Sequence, residues 1–89
     1  MVEWDEAKRQ INLKKHGVDF AIAVRFETET ALLAEDVRYD YEEIRYQALG
    51  FIDAKLHFLV YTIRGDARRV ISLRRANRKE IEAYGKIKG

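Results

Sequence analysis

The chain has 89 residues, 47% of them hydrophobic and 36% charged, with no cysteine and no proline. That length supports one core, and the expectation is a single domain over residues 1–89. Without cysteine there is no disulfide framework and no thiolate metal site. The two histidines, His16 and His57, lack the spacing of zinc ligands. No apolar run approaches the ~20 residues of a membrane helix, and the opening MVEWDEAK has none of the features of a signal peptide. The expectation is a cytoplasmic protein, off the membrane, with no metal and no cofactor.

The net charge of +2 conceals an asymmetry. Residues 1–45 hold seven Lys/Arg against eleven Asp/Glu, and residues 46–89 hold ten against four. The sharpest basic block runs from Arg64 to Lys79, with seven basic residues and one acid, Asp66. Such a block suits a polyanion or an acidic partner, although a solvated basic face has the same composition.

In chain order, a short apolar stub, Val2–Trp4, precedes Asp5, which has the position of a helix N-cap. Residues 5–16 read as a helix with Ala7, Ile11 and Leu13 as its apolar members. Lys14, Lys15 and His16 fill its last turn, where cations suit the helix dipole. Gly17 fits the left-handed position that ends it. Asp19 caps a second, short helix over about 20–26. Ala31–Glu35 reads as a strand and is followed by an acidic loop whose Tyr39 and Tyr41 suit a protein partner. Ile44–Ile52, Leu56–Ile63 and Arg68–Arg74 are rich in β-branched and aromatic residues and bounded by turn signals. HFLVYTI is apolar on both faces, as a central strand requires. A closing helix, about Asn77 to Lys86, turns Ile81, Tyr84 and Ile87 inward. Helix, helix, three or four antiparallel strands and helix make an α+β fold. Helices packed on one side leave the opposite face of the sheet open for a basic ligand-binding surface.

The ordered set Trp4-Asp5-Glu6-Ala7-Lys8, Asn12 and Lys15-His16-Gly17-Val18-Asp19-Phe20 resembles the N-terminal signature of the BrnT toxins. Arg45-Tyr46-Gln47-Ala48-Leu49-Gly50 resembles that family's middle strand. Val60-Tyr61-Thr62, Arg64-Gly65-Asp66 and Arg69 to Ala76 resemble its last hairpin, and Glu80 and Tyr84 fall in its closing helix. Leu73 departs from a usually small residue, and Asp40-Tyr41 from a glycine-containing turn. The resemblance implies a RelE-like fold and an endoribonuclease that cuts mRNA without a metal and so inhibits translation. It also implies a BrnA-type ribbon-helix-helix antitoxin and a toxin–antitoxin heterotetramer.

Metal-free RNA cleavage uses the 2′-OH as nucleophile on the adjacent phosphate. It requires a base, cations for the phosphorane and an acid for the leaving oxygen. Arginine forks bond two phosphate oxygens at once. Arg74 and Ser72 leave their strand on one face and Ile71 and Leu73 on the other, so that by alternation Arg69 and Arg75 share the face of Ile71. His16, at a polar helix end, suits acid–base work and equally suits a cap on the helix dipole. His57, among apolar residues, reads as structural. Glu80 is a candidate base, or, if it faces Arg74, the group that orients that arginine. The candidate catalytic residues are thus Lys15, His16, Arg64, Arg74 and Glu80. The candidate RNA contacts are Lys14, Arg69, Arg75, Arg78 and Tyr84. Arg75 and Arg78 also fit a plain surface role, and Tyr84 and Trp4 a core role. The acidic stretch Glu27–Glu43 would repel RNA and is expected away from the site. The competing reading is a non-catalytic RNA- or ribosome-binding module, or a protein-interaction module, of the same fold.

Overall fold

Asp5 and Gly17 bracket the first helix, α1 (Glu6–His16), in a computed structural model that describes residues 1–38 and 40–89. The Asp5 carboxylate accepts from the amides of Ala7 and Lys8, satisfying two of the orphan donors of the first turn. Gly17 sits at φ 70° and donates its amide to Leu13. A 3₁₀ segment, Phe20–Arg25, follows, capped by Asp19 through the Ala21 amide.

Five strands form one sheet in the order β1-β5-β4-β3-β2. They are β1 (Val2–Trp4), β2 (Leu32–Glu35), β3 (Tyr46–Ile52), β4 (Lys55–Arg64) and β5 (Ala67–Arg75). β4 is central, as its two apolar faces require. The N-terminal stub is a strand, and it runs parallel to β5, pairing Val2 with Arg68 and Trp4 with Val70. Three residues are too few to show alternation against a background, so this strand was not legible as one. β3 and β4 join through Asp53 and Ala54, both at positive φ (50° and 66°), the backbone of a two-residue hairpin loop.

The core lies on one face, between the sheet and the 3₁₀ segment. Phe20, Ala23 and Phe26 pack there against Ala48, Leu59, Tyr61, Val70 and Leu73. Gly50 is required in β3 because a Cβ there would meet the Phe26 ring at 2.7 Å. The expected apolar members of α1 do not drive its packing: Ile11 and Leu13 are exposed, and the buried residue is Asn12. Its side-chain amide donates to the Leu73 carbonyl at 2.7 Å and to the Val18 carbonyl at 3.1 Å, and its oxygen accepts from the Leu73 amide at 3.2 Å. β1 ends at Trp4, opposite Val70, so beyond it the outer edge of β5 has no strand partner. Asn12 supplies the missing pair of hydrogen bonds and lays α1 along that edge.

The closing helix, α2 (Arg78–Lys88), starts in a capping box between Asn77 and Glu80 and runs through Gly85. It buries no residue, and Ile81 and Ile87 are exposed rather than inward-facing. Tyr84 alone of the three turns to the body of the protein, edge-on to Phe51 at 5.4 Å. This helix lies over the face opposite the core, so the sheet carries helical cover on both sides.

Asn12→Ala strands three buried main-chain groups and is expected to cost about 2–4 kcal/mol in urea unfolding; a loss below about 1 kcal/mol would show that α1 is held otherwise. Ala54→Gly relieves a left-handed alanine and is expected to add about 0.5–1 kcal/mol in the same measurement.

Candidate active-site groove

Lys8, Asn12 and Lys15 are spaced four and three apart and therefore share one face of α1. Asn12 faces inward to β5, and Lys8 and Lys15 flank it on the rim. Between this rim and β5 runs a groove of about 270 Å³, lined by Lys8, Ile11, Lys15, His16, Ile71 and Ser72. The register of β5 against β4 slips here: Ser72 pairs with Val60, but Val70 pairs with Tyr61. Ile71 is the extra residue of a bulge, a device that re-aims side chains.

The slip corrects the alternation read from the sequence. Counting across the bulge puts Arg69 on the face of Ser72 and Arg74, away from the core, and not on the opposite face. Arg74 pairs with Phe58 on that outer face, and its guanidinium stacks 4.6 Å from the Phe58 ring centre. Glu80 grips it with two bonds of 2.8 Å each, and the Arg75 carbonyl accepts a third at 3.2 Å. The bidentate pair holds the Glu80 carboxyl below its usual pKa and raises that of Arg74. Glu80 is therefore ionised, and its two oxygens serve Arg74 and the Asn77 amide. That geometry suits a residue that orients Arg74, the second of the two roles open to it.

His16 lies close enough to Arg74 to feel its charge. Burial depresses the imidazole pKa from its ordinary 6.5, and the charges of Lys15 and Arg74 add to that. At neutral pH the ring is then mainly uncharged, the form that accepts a proton. Lys8, Lys15, His16 and Ser72 thus line one groove, and the charge of Arg74, on the outer face two residues beyond Ser72, acts on the His16 ring.

The remaining candidates lie elsewhere. Arg64 sits at the β4–β5 turn, six residues along β4 from the partner of Arg74, or about 20 Å at strand rise. Glu43 binds it at 3.2 Å. The acidic stretch, expected away from the site, instead folds back on the turn end, and Glu42 and Glu43 share a depression with Lys8 and Ile71, which also line the groove. Arg69 is held by Glu3 at 2.8 Å. Arg78 is exposed beside Glu82, and Lys14 is exposed on α1. Tyr84 donates its hydroxyl to the Thr30 carbonyl at 2.7 Å and packs on Phe51, the core-like role and not a free stacking surface. Arg75 and His57 face a separate cleft on the core side of the sheet. Tyr41 donates to Asp36 at 3.2 Å and carries Arg45 over its ring; Tyr39 lies outside the described residues. Lys8 was missed in the sequence, although its spacing from Lys15 places the two on one helical face.

These features define a small α+β domain with a groove at a sheet edge that Lys8, Lys15 and His16 line. The model of the family described as ribonuclease toxin, BrnT, of type II toxin–antitoxin system matches residues 4–80. The chain belongs to that family. Among solved structures it is similar to the Brucella abortus ribonuclease toxin BrnT, known from a 1.1 Å crystal structure. The two are 31% identical, with a TM-score of 0.68 over 86% of this chain and 96% of that one. No curated protein matches it.

The electrostatic coupling is open to a direct check. The His16 ring is expected to titrate below 6.5 by NMR, and Arg74→Gln, which removes a neighbouring positive charge, is expected to raise that pKa. An unchanged value would separate the two residues.

Proposed function

We propose that this chain is a metal-independent endoribonuclease that cuts mRNA and thereby inhibits translation. The observation that carries the reading is a groove lined by Lys8, Lys15 and His16, with Arg74 near enough for its charge to act on the His16 ring. His16, uncharged at neutral pH, takes the proton of the 2′-OH as that oxygen attacks the adjacent phosphorus. The Arg74 fork, with Lys15 and Lys8, offsets the charge of the phosphorane. The P–O5′ bond breaks, and the leaving 5′ oxygen takes a proton from Lys15. The products are a 2′,3′-cyclic phosphate and a 5′-OH. Glu80 is a positioning residue that fixes the plane of the Arg74 fork. Lys14 extends the positive field along the helix that flanks the groove; Arg69 is neutralised by Glu3, and Arg64 and Arg78 lie beyond it.

The family description supplies the regulatory part of the proposal. A type II system pairs the toxin with a protein antitoxin, and the reading is a BrnA-type ribbon-helix-helix partner in a heterotetramer. The proposed site of action is the cytoplasm, where mRNA is translated. Among the described residues, no helix is long and apolar enough to cross a membrane. A second reading, RNA binding without chemistry, draws on the fact that Glu80 already fills the Arg74 fork.

Incubation of the purified chain with unstructured RNA in EDTA separates the two. Cleavage is expected from the wild type and a loss of at least about 100-fold from Arg74→Ala, the scale of losing one main charge-stabilising donor. His16→Gln is expected to abolish the acid limb of the pH profile, which in the wild type rises with pH through a midpoint below 6.5, because only the neutral ring accepts the proton. RNA binding without cleavage in any condition would support the second reading. Glu80→Gln is expected to lower kcat more than it raises KM, since the residue acts through Arg74.

A further inference from the structure

His16 stands at the rim between two depressions. One is the groove with Ser72. The other is a cleft of about 520 Å³ on the core side of the sheet, bounded by the end of α1, the 3₁₀ segment and the β3–β4 turn. Leu13 and Ile22 give this cleft an apolar wall. Asp53, tied to Arg25 at 2.7 Å, closes its far end. Arg75 reaches it from the end of β5 with no ion pair among the described residues, while its neighbour Arg74 points to the opposite face.

The feature that marks the cleft as built is His57. It is only 4% exposed, yet it lines the opening. Its Nδ1 lies 2.7 Å from the Lys55 carbonyl, which can only accept, so Nδ1 carries the proton. Burial, reinforced by Arg75, depresses the ring pKa from 6.5 and keeps the ring neutral. Nε2 is then a bare acceptor, with no protein hydrogen-bond donor on it among the described residues. An acceptor that opens into the cleft from a nearly buried ring, an apolar wall and an outward cation match the three parts of a nucleotide: base edge, base face and phosphate.

We propose that this cleft is a nucleotide-binding subsite, taking the nucleotide next to the one whose phosphate lies in the groove. The inference rests on the RNA-cleaving reading of the groove. The RNA strand passes over the rim at His16, from one face of the sheet to the other. His57 Nε2 accepts from the N–H edge of the base, Leu13 and Ile22 pack against its face, and Arg75 binds the flanking phosphate. His57, read from the sequence as structural, is then a ligand contact.

The test uses the whole chain and an uncleavable 2′-O-methyl RNA hexamer. The chain has only two histidines, so two ring systems appear in imidazole ¹⁵N NMR, and His57→Phe assigns them. Addition of the hexamer is expected to shift both rings. Arg75→Gln, a surface change, is expected to weaken binding and lower the slope of log K against log salt by about 0.7, the value for one phosphate on a single strand. A shift at His16 with none at His57, or an unchanged slope in Arg75→Gln, would overturn the subsite and leave the groove reading standing. No shift at either ring, from a preparation that cleaves RNA, would also overturn it. Loss of the nuclease reading is scored separately, by the absence of cleavage in the wild type.

Discussion

The arrangement depends on one side-chain amide. Asn12 stands where β1 would continue, and its carboxamide gives the Leu73 main chain the donor and the acceptor that a longer β1 would give. An unpaired edge in a buried position is costly, so the helix carrying Asn12 has little freedom to slide or roll. Lys8, Lys15 and His16 occupy the same helix and inherit that fixed position. They stand over the stretch of β5 where the bulge at Ile71 turns Ser72 and Arg74 outward. A rigid helix–strand pair of this kind holds a site more closely than a loop can.

The charge asymmetry of the sequence resolves into local pairs. At the turn end of the sheet, acids from the N-terminal half meet bases of the C-terminal half: Glu3 binds Arg69 and Glu43 binds Arg64. Most of these pairs are partly solvated and contribute little to stability. Their consequence is a spatial one. They cancel charge at one end of the hairpin, as Glu80 does for Arg74, and leave Lys8 and Lys15 as the cations that line the groove. In the proposed reaction Glu80 orients Arg74, because a carboxylate bonded on both oxygens to one guanidinium fixes the plane of the fork.

The sequence showed the helix ends best. Asp5, Gly17 and Asp19 act by local chemistry that a short window contains, and all three do what their positions imply. Strands β3, β4 and β5 were visible through β-branched and aromatic density, and the central place of β4 through its lack of a polar face. What escaped were effects that depend on distant partners. β1 is a strand only because β5 offers it an edge. Asn12 reads as a polar helix residue until Leu73 lies beside it. Strict alternation misplaced Arg69, because a bulge leaves no mark in composition. Ile11 and Ile81 looked inward-facing from periodicity alone, although α1 is held by a hydrogen-bonded amide and α2 by Glu80 and Tyr84. Of the candidate site, Lys15, His16, Arg74 and Glu80 gather around the groove or its arginine, whereas Arg64 is carried to the other end of the sheet by the length of β4.

In the proposed reaction the substrate's own 2′-OH is the nucleophile, and the ends of the cleaved RNA report this directly. Mass spectrometry of the products from a short single-stranded RNA is the decisive measurement. The expected products are a 2′,3′-cyclic phosphate on the upstream fragment and a free 5′-OH on the downstream one, with no cut at a nucleotide whose 2′-OH has been replaced by hydrogen. A 3′-OH paired with a 5′-phosphate, or cutting that continues at the 2′-deoxy position, would mean that water is the nucleophile and would contradict it.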